Sequence, residues 1–273
     1  MSLKGKKIEV LGGGFVQLVD WMGNDETVVK AARKSYTLED DYGPEKARNL
    51  IRYLMRHRHT TPTEMPELMF LVRVPMDTWR QWIRHRTASV NEYSTRYSEA
   101  VDEKPADTPF RLQSKDSKQG SDGLMVPKKQ RYYAESEKMI NRDLRNLYNE
   151  ALSDGMAKEQ ARRMLPLSTW TEAMWKIDLH NLFHFLKLRL DSHAQFEIRQ
   201  YAEAIASIVK ELFPISYQAF EDYVLNAITF SKQEQEQLYN IMYRADLGFR
   251  VDNGMTKREL AEFKEKLERI VDG

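Results

Sequence analysis

The sequence predicts a mixed α/β (α+β) fold: a single domain with a central β-sheet flanked by helices, followed by a helical C-terminal extension. Three observations predict it. Short runs rich in β-branched and aromatic residues, at 7–19, 68–74 and 167–177, are separated by longer stretches with helical spacing. The chain has 273 residues, 41% hydrophobic and 30% charged, enough to bury a sizeable core. Beyond 215 the pattern is helical, and Ser231-Lys-Gln-Glu234 and Thr256-Lys-Arg-Glu259 are both capping-box spacings. The catalytic domain is expected over 1–228 and the extension over 229–273.

Taken in order, residues 7–19 read as strand, tight Gly12-Gly-Gly14 turn and strand. A phosphate-cradling loop is disfavoured, because no helix start follows with G-x-G-x-x-G spacing. Asn24 or Asp25 caps a short helix through Arg33. Over 45–58, Ala47, Leu50, Ile51, Leu54 and Met55 form one apolar helical stripe, and Pro62 forbids its continuation. Leu68 to Val74 is a strand, and Pro75 opens a helix carrying Trp79, Trp82 and Ile83 on one side. A loop is expected after that helix.

Residues 102–127 are low in hydrophobicity and predict a mobile surface loop. A long amphipathic helix covers 129–153, with Gly155 as its stop, and a shorter one covers 157–165. Alternation from Leu167 to Ile177 predicts a strand. Asp178 is the N-cap of a helix over 179–190, and another helix runs from about 193 to 212. Trp170, Trp175, Phe183 and Phe185 read as packing residues.

Bulk chemistry narrows the function. Lys plus Arg is 42 and Asp plus Glu is 41, so a basic field for nucleic acid is absent and any anion site must be local. Cysteine is absent, which excludes disulfides, zinc-thiolate sites and thiol nucleophiles. No signal-peptide core is visible, and no apolar run approaches the roughly 20 residues of a membrane span, so a cytoplasmic protein with no membrane partner is expected.

The densest chemistry lies in 79–97. Arg80, Arg84, Arg86 and Arg96 stand beside His85, Ser89, Asn91, Glu92 and Ser94. Arg presents a planar fork of donors that suits phosphate. Arg162, Arg163 and Arg189 add two further candidate anion-binding segments. His57 reads as a helix-end residue, whereas His59, nearer the Thr60-Thr-Pro62 turn, is open to a ligand role. His180 and His184 are spaced i, i+4, but no His-Glu-x-x-His pattern accompanies them, and no metal is expected.

Arg84-His-Arg-Thr-Ala-Ser89-Val-Asn-Glu92-Tyr-Ser94-Thr-Arg96 resembles, position for position, the Arg-His-Arg-x-x-Ser-x-Asn-Glu-x-Ser-x-Arg motif of the flavin-dependent thymidylate synthase family. Met22-Gly-Asn-Asp25, Tyr53 to Pro62, Ala161 to Leu167 and Leu188 to Gln195 look like further landmarks in the family's order. The resemblance covers roughly 8–225, with 105–127 as an expanded loop.

The resemblance implies conversion of dUMP to dTMP, with methylenetetrahydrofolate as carbon donor, FAD as cofactor and NADPH as its reductant, in a homotetramer with sites at subunit interfaces. It implies His59, Thr61, Arg84, His85, Arg86 and Glu92 as FAD-binding residues, with Asp178, His180 and His184 on a second FAD segment. Gln81, Trp82, Ile83, Arg84, Glu92, Tyr93, Ser94, Thr95, Arg96, Arg162 and Arg189 correspond to dUMP-contacting positions. Arg189 and His59 are the implied catalytic residues, Arg189 by favouring ionisation at uracil N3. Two departures stand out. Met65 replaces the His of the family's Pro-Phe-Glu-His, and Asp178-x-His180-x-x-x-His184 replaces Asn-x-Arg-x-x-x-Asn.

The chemistry agrees. Methylating uracil at C5 needs electron density there, and without cysteine, thiol addition at C6 is closed. Ser94 lacks an evident paired base. Polarisation by a fixed charge such as Arg189, with a flavin supplying hydride, is the remaining route. An alternative of another class is an RNA-binding platform, with Trp79 and Trp82 stacking bases and Arg residues on phosphates. A relative that keeps the flavin site but has lost methyl transfer is a third reading.

Overall fold

Leu11 and Gly12 take positive φ of 56° and 70°, and so turn β1 (Lys7–Val10) back onto β2 (Gly14–Met22) as an antiparallel hairpin. These strands belong to the sheet described in a computed structural model covering residues 3–34, 43–100, 108–115, 118, 120–235, 237–238 and 256–272. Gly14 is the first residue of β2 rather than part of the turn. A Cβ there would collide with the Tyr201 hydroxyl and lie 2.7 Å from the Arg73 carbonyl oxygen.

β3 (Glu67–Pro75), β4 (Ser89–Glu92) and β7 (Trp170–Asp178) complete the sheet, in the order β1-β2-β3-β7-β4. Every pairing is antiparallel, which makes the fold α+β. Period-2 patterning puts Leu68, Phe70, Val72 and Val74 of β3, with Thr171, Ala173, Trp175 and Ile177 of β7, on the buried side. β7 begins three residues later than its alternation suggests. Thr169 closes a turn on the Pro166 carbonyl, and the Leu167 and Thr169 carbonyls accept from Asp77 and Met76, two of the free N–H groups that open the next helix. β4 falls where a loop was expected.

The helices follow local signals. α1 (Asp25–Arg33) starts at Asn24, whose side chain and that of Thr27 cap each other's backbone. α2 (Pro44–Arg56) ends in a Schellman turn. His59 N–H donates to the Leu54 carbonyl at 2.9 Å, and Arg58 N–H to that of Met55 at 3.2 Å. Arg58 holds φ 57° there, a left-handed conformation usually given to glycine. Pro75 is the N-cap of α3 (Met76–Trp82) rather than in its first turn. α4 (Pro127–Ser153) is stopped by Gly155 at φ 84°.

α5 (Lys158–Ala161) is a single turn that tightens into a 3₁₀ turn, Arg162–Met164. α6 (Leu179–Arg189) is capped by Asp178. α7 (Phe196–Leu212) begins three residues later than its spacing suggests, because Asp191 accepts from the His193 N–H at 2.8 Å and holds that segment in a turn. α8 (Pro214–Phe220) runs into one π-helical turn, Glu221–Leu225.

The core is aromatic. Trp82 meets Trp175 at 5.1 Å and Tyr201 at 5.7 Å edge-on, and Phe185 at 5.0 Å with the rings tilted. Such pairs add about 0.5–1.5 kcal/mol each beyond their buried area. Trp170 and Phe183 are buried with them, as packing residues. The expected mobile loop contains instead a two-stranded hairpin, β5 (Arg111–Gln113) and β6 (Ser121–Leu124). It is anchored by Arg111, which donates to Ser121 at 3.1 Å and to Glu197 at 2.6 Å.

The chain divides into two compact units, Met1–Leu225 and Asn226–Gly273. In the second, Ser231 and Glu234 cap each other, and Thr256 with Glu259 does the same for α9 (Lys257–Asp272). Among the described residues no helix is long and apolar enough to cross a membrane.

Candidate active site

The Arg-rich motif is shaped by α3. Trp79 and Trp82 are 1% and 0% exposed, so their side of the helix faces the core. Arg80, Arg84 and Arg86 are left exposed, and none of their guanidinium groups makes a hydrogen bond or ion pair among the described residues. The buried indoles also remove the stacking platform that RNA binding through 79–97 requires. Gln81 keeps its Oε1 buried and without a hydrogen-bond partner. Ile83 ends α3 by donating to the Trp79 carbonyl at 3.0 Å.

His85 turns inward from this exposed run. Its ring packs on Phe185 at 4.9 Å and stands 5.8 Å from the His184 ring. Arg189, at the end of α6, donates from Nε to His85 Nε2 at 3.0 Å, across 104 positions of sequence. Burial, the Arg189 guanidinium and His184 together lower the His85 pKa to about 4. The ring is neutral at pH 7, and because Nε2 accepts, its proton sits on Nδ1. Burial also lowers the pKa of Arg189, but the guanidinium stays charged.

The second half of the motif is an edge strand. Ser89 stands opposite Lys176 and Glu92 opposite Ala173. Thr171 Oγ1 donates to Glu92 Oε1 at 2.8 Å. Tyr93 continues the ladder to the Glu172 carbonyl at 2.8 Å, and its hydroxyl donates to the Glu99 carbonyl at 2.8 Å. The Ser94 carbonyl then accepts from Tyr97 and Ser98, and its Oγ from the Arg96 N–H, which closes a turn around Thr95. α5 meets this turn through an exposed Arg96–Glu159 pair at 3.4 Å and through Lys158 to the Tyr97 carbonyl. Arg162 follows directly on α5, exposed and without an ion pair among the described residues.

His59 belongs to a separate cluster at the end of α2. Its ring lies 5.6 Å from Tyr53 and 6.2 Å from His57. Thr61 opens a 3₁₀ turn, Thr61–Glu64, that packs against α6. The Leu179 N–H donates to the Pro66 carbonyl at 3.0 Å, which ties this turn to the start of α6. The His59–Thr61 segment therefore adjoins the end of α6 that carries Asp178 and His180. No hydrogen bond or ring contact joins His59 to His85 or Arg189 among the described residues. Both Asp178 oxygens accept from Asn181, Oδ1 from its backbone and Oδ2 from its side chain, so this carboxylate serves the cap. His184, one helical turn beyond His180, is exposed.

Sequence reasoning did not find two features. One is Thr171 beneath Glu92. The other is a cavity of about 290 Å³ lined by Asp77, Arg111, Glu137, Ser168, Gln195 and Glu197 among others. Desolvation, then the neighbouring carboxylates, raise the pKa of both Asp77 and Glu137. These residues come from distant segments, and no local spacing announces them.

Fold and site define a protein that sets exposed arginines on either side of the edge strand of an antiparallel sheet, several of them without an ion pair among the described residues. The family model described as Thymidylate synthase complementing protein matches residues 17–215. The flavin-dependent thymidylate synthase of Ehrlichia ruminantium (strain Gardel) is 44% identical over 265 residues, spanning 96% of this chain and 88% of that one. That of Thermus thermophilus is 47% identical over 240 residues, 86% of each. Among solved structures, a UMP/dUMP methylase PolB from Streptomyces cacaoi, bound with 5-Br dUMP, superposes with a TM-score of 0.71 at 34% identity. The match covers 80% of this chain and 99% of that one. The chain belongs to the flavin-dependent thymidylate synthase family, and it is an FAD-dependent methyltransferase.

Proposed function

We propose that this enzyme carries out the reductive methylation of dUMP to dTMP, with methylenetetrahydrofolate as carbon donor and NADPH as the reductant of its FAD. The observation that carries the reading is the contact of Arg189 with His85, which joins a charge on α6 to the Arg-rich motif at 3.0 Å. The residues present fit an anionic dinucleotide cofactor. Arg84 and Arg86 offer guanidinium groups that have no partner among the described residues, Glu92 and His184 offer polar groups on neighbouring elements, and His59, Thr61 and His180 offer a second set at the other end of α6. FAD, when bound, supplies the hydride chemistry.

The chain's own residues bind and polarise the substrate. Arg96 and Arg162 are exposed cations suited to the phosphate of dUMP, with Tyr93, Ser94 and Thr95 forming the turn between. Gln81 brings an unpartnered carbonyl oxygen to the uracil. Trp82 contributes through its backbone, since its ring is buried. Arg189 acts as a fixed positive charge that stabilises the anion developing on the uracil ring. His59 assists from the turn beside Thr61.

The assembly assigned with this reading is a homotetramer, in which the two halves of the motif need not serve the same site. The catalytic domain is assigned to 1–228, the helical extension to 229–273, and the location to the cytoplasm. In the decisive test, purified protein is assayed anaerobically for dTMP. Product that forms only when dUMP, methylenetetrahydrofolate and NADPH are all present supports the reading. Flavin reduction without dTMP favours a relative that has lost methyl transfer, and protein that cannot be loaded with FAD refutes the proposal.

A further inference from the structure

We propose that His85 is a positioning residue for Arg189: its Nε2 grips the guanidinium by the Nε edge and leaves both terminal nitrogens for the substrate. The inference rests on the reading that Arg189 acts on dUMP. The Arg189 side chain makes a single hydrogen bond among the described residues, the one to His85, so Nη1 and Nη2 have no partner there. A bond to Nε fixes the plane of the fork as well as its place.

The imidazole is itself held. Phe185, 0% exposed, stands nearly perpendicular to it at 4.9 Å, and Phe185 is locked in turn between Trp82 and Trp175. Orientation thus passes from the core to the guanidinium through two rings. The link also connects the motif to a residue 104 positions away, so the two parts of the site are set by one contact.

The kind of acceptor matters. A carboxylate in place of the imidazole bonds a guanidinium more strongly, but its negative charge offsets the positive charge that the uracil ring needs. A neutral acceptor orients Arg189 and leaves its charge whole. The surroundings keep the imidazole neutral. Burial first, then Arg189 and His184, which face it, lower its pKa to about 4; Arg84 and Arg86 flank it in sequence. A role in packing alone predicts no such preference, because the carboxamide of Gln and the carboxylate of Glu are nearly the same size.

The test uses FAD-loaded protein and compares His85→Gln, His85→Glu, His85→Leu and Arg189→Ala for kcat, for the KM of dUMP and for the visible flavin spectrum. Gln keeps a neutral acceptor near the Nε2 position and is expected to hold kcat within about threefold. Leu removes the acceptor and should lower kcat about ten- to a hundredfold, the usual worth of a hydrogen bond to a charged group. Glu should fall at least as far as Leu. In the His85 variants the KM for dUMP should change little, His85→Gln should keep the parent's flavin content, and Arg189→Ala should keep its FAD.

Glu matching wild type, Gln falling as far as Leu, or Leu keeping full kcat overturns the proposal. So does loss of FAD from Gln and Leu alike. If Leu does not fold, Gln against Glu decides alone. Arg189→Ala separates the two levels. Near-normal turnover in that variant overturns the reading of Arg189 and the positioning role with it. Its loss of turnover beside an unaffected His85→Leu overturns the positioning role only.

Discussion

Replacing Gly14 by alanine tests the packing that carries the sheet. The new Cβ collides with the Tyr201 hydroxyl and approaches the Arg73 carbonyl oxygen at 2.7 Å and Trp170 Cζ3 at 2.8 Å. Real Cβ atoms do not tolerate such distances, and two of the three obstacles are a backbone oxygen in a paired strand and a buried indole. Tyr201 must swing away, which breaks its 2.7 Å hydrogen bond to the Arg73 carbonyl. Overpacking costs about 1–3 kcal/mol and a buried acceptor left unpaired about 1–3 kcal/mol. Together they predict a loss of about 2–6 kcal/mol. Urea unfolding, followed by tryptophan fluorescence, measures it as a lower midpoint at unchanged slope. Gly13→Ala is the control. Its Cβ meets only the Trp170 ring, at 3.0 Å, so its cost should be about 1 kcal/mol or less. Adding Tyr201→Phe to Gly14→Ala should recover part of the loss, because the hydroxyl goes while the other two contacts stay. A Gly14→Ala protein within about 0.5 kcal/mol of the parent refutes the reasoning.

Three further outcomes are expected. Arg58→Gly relieves a left-handed backbone and should stabilise the protein by about 1 kcal/mol, read as a raised urea midpoint. Thr171→Val keeps volume but removes the donor to Glu92, and should lower the rate of dTMP formation about tenfold with thermal unfolding nearly unchanged. In the pH dependence of stability, His85 is neutral in both folded and unfolded chains above its ordinary pKa of 6.5, and its contribution is then whole. As pH falls from 6.5 towards 4 the unfolded chain takes up a proton that the folded one refuses, so stability drops, by about 2–3 kcal/mol at most. His85→Gln should flatten the unfolding curve across that window, and an unchanged slope would count against a buried neutral ring.

What the sequence made legible was local. Asn24 and Thr27 are three residues apart and cap each other, so that helix start was readable. Asp25 was open to the same reading, but its carboxylate accepts from Ile215 and Ser216, about 190 positions away, and no nearby pattern records that. A short apolar run identified β3 and alternation identified β7, because one side of each is buried. It missed β4 because all four of its residues are exposed, and a strand without a buried side has no hydrophobic period. The β5–β6 hairpin was invisible for the same reason. At the site, residue types alone marked the Arg-rich motif. The partnership of His85 with Arg189 spans 104 positions and needed the fold.

Exposure on both sides gives β4 a further property. Most strands are locked in register because a slip of one residue would turn a hydrophobic row towards water. Ser89, Val90, Asn91 and Glu92 are all exposed and none is a core residue, so burial does little to choose their register. Backbone ladder bonds to β7 are satisfied in either alignment. The bond from Thr171 to Glu92 is specific to one of them. A single buried hydroxyl near the start of β7 thus acts as an index pin: it decides which side chains of the motif face outward together, and so which face of it meets a ligand.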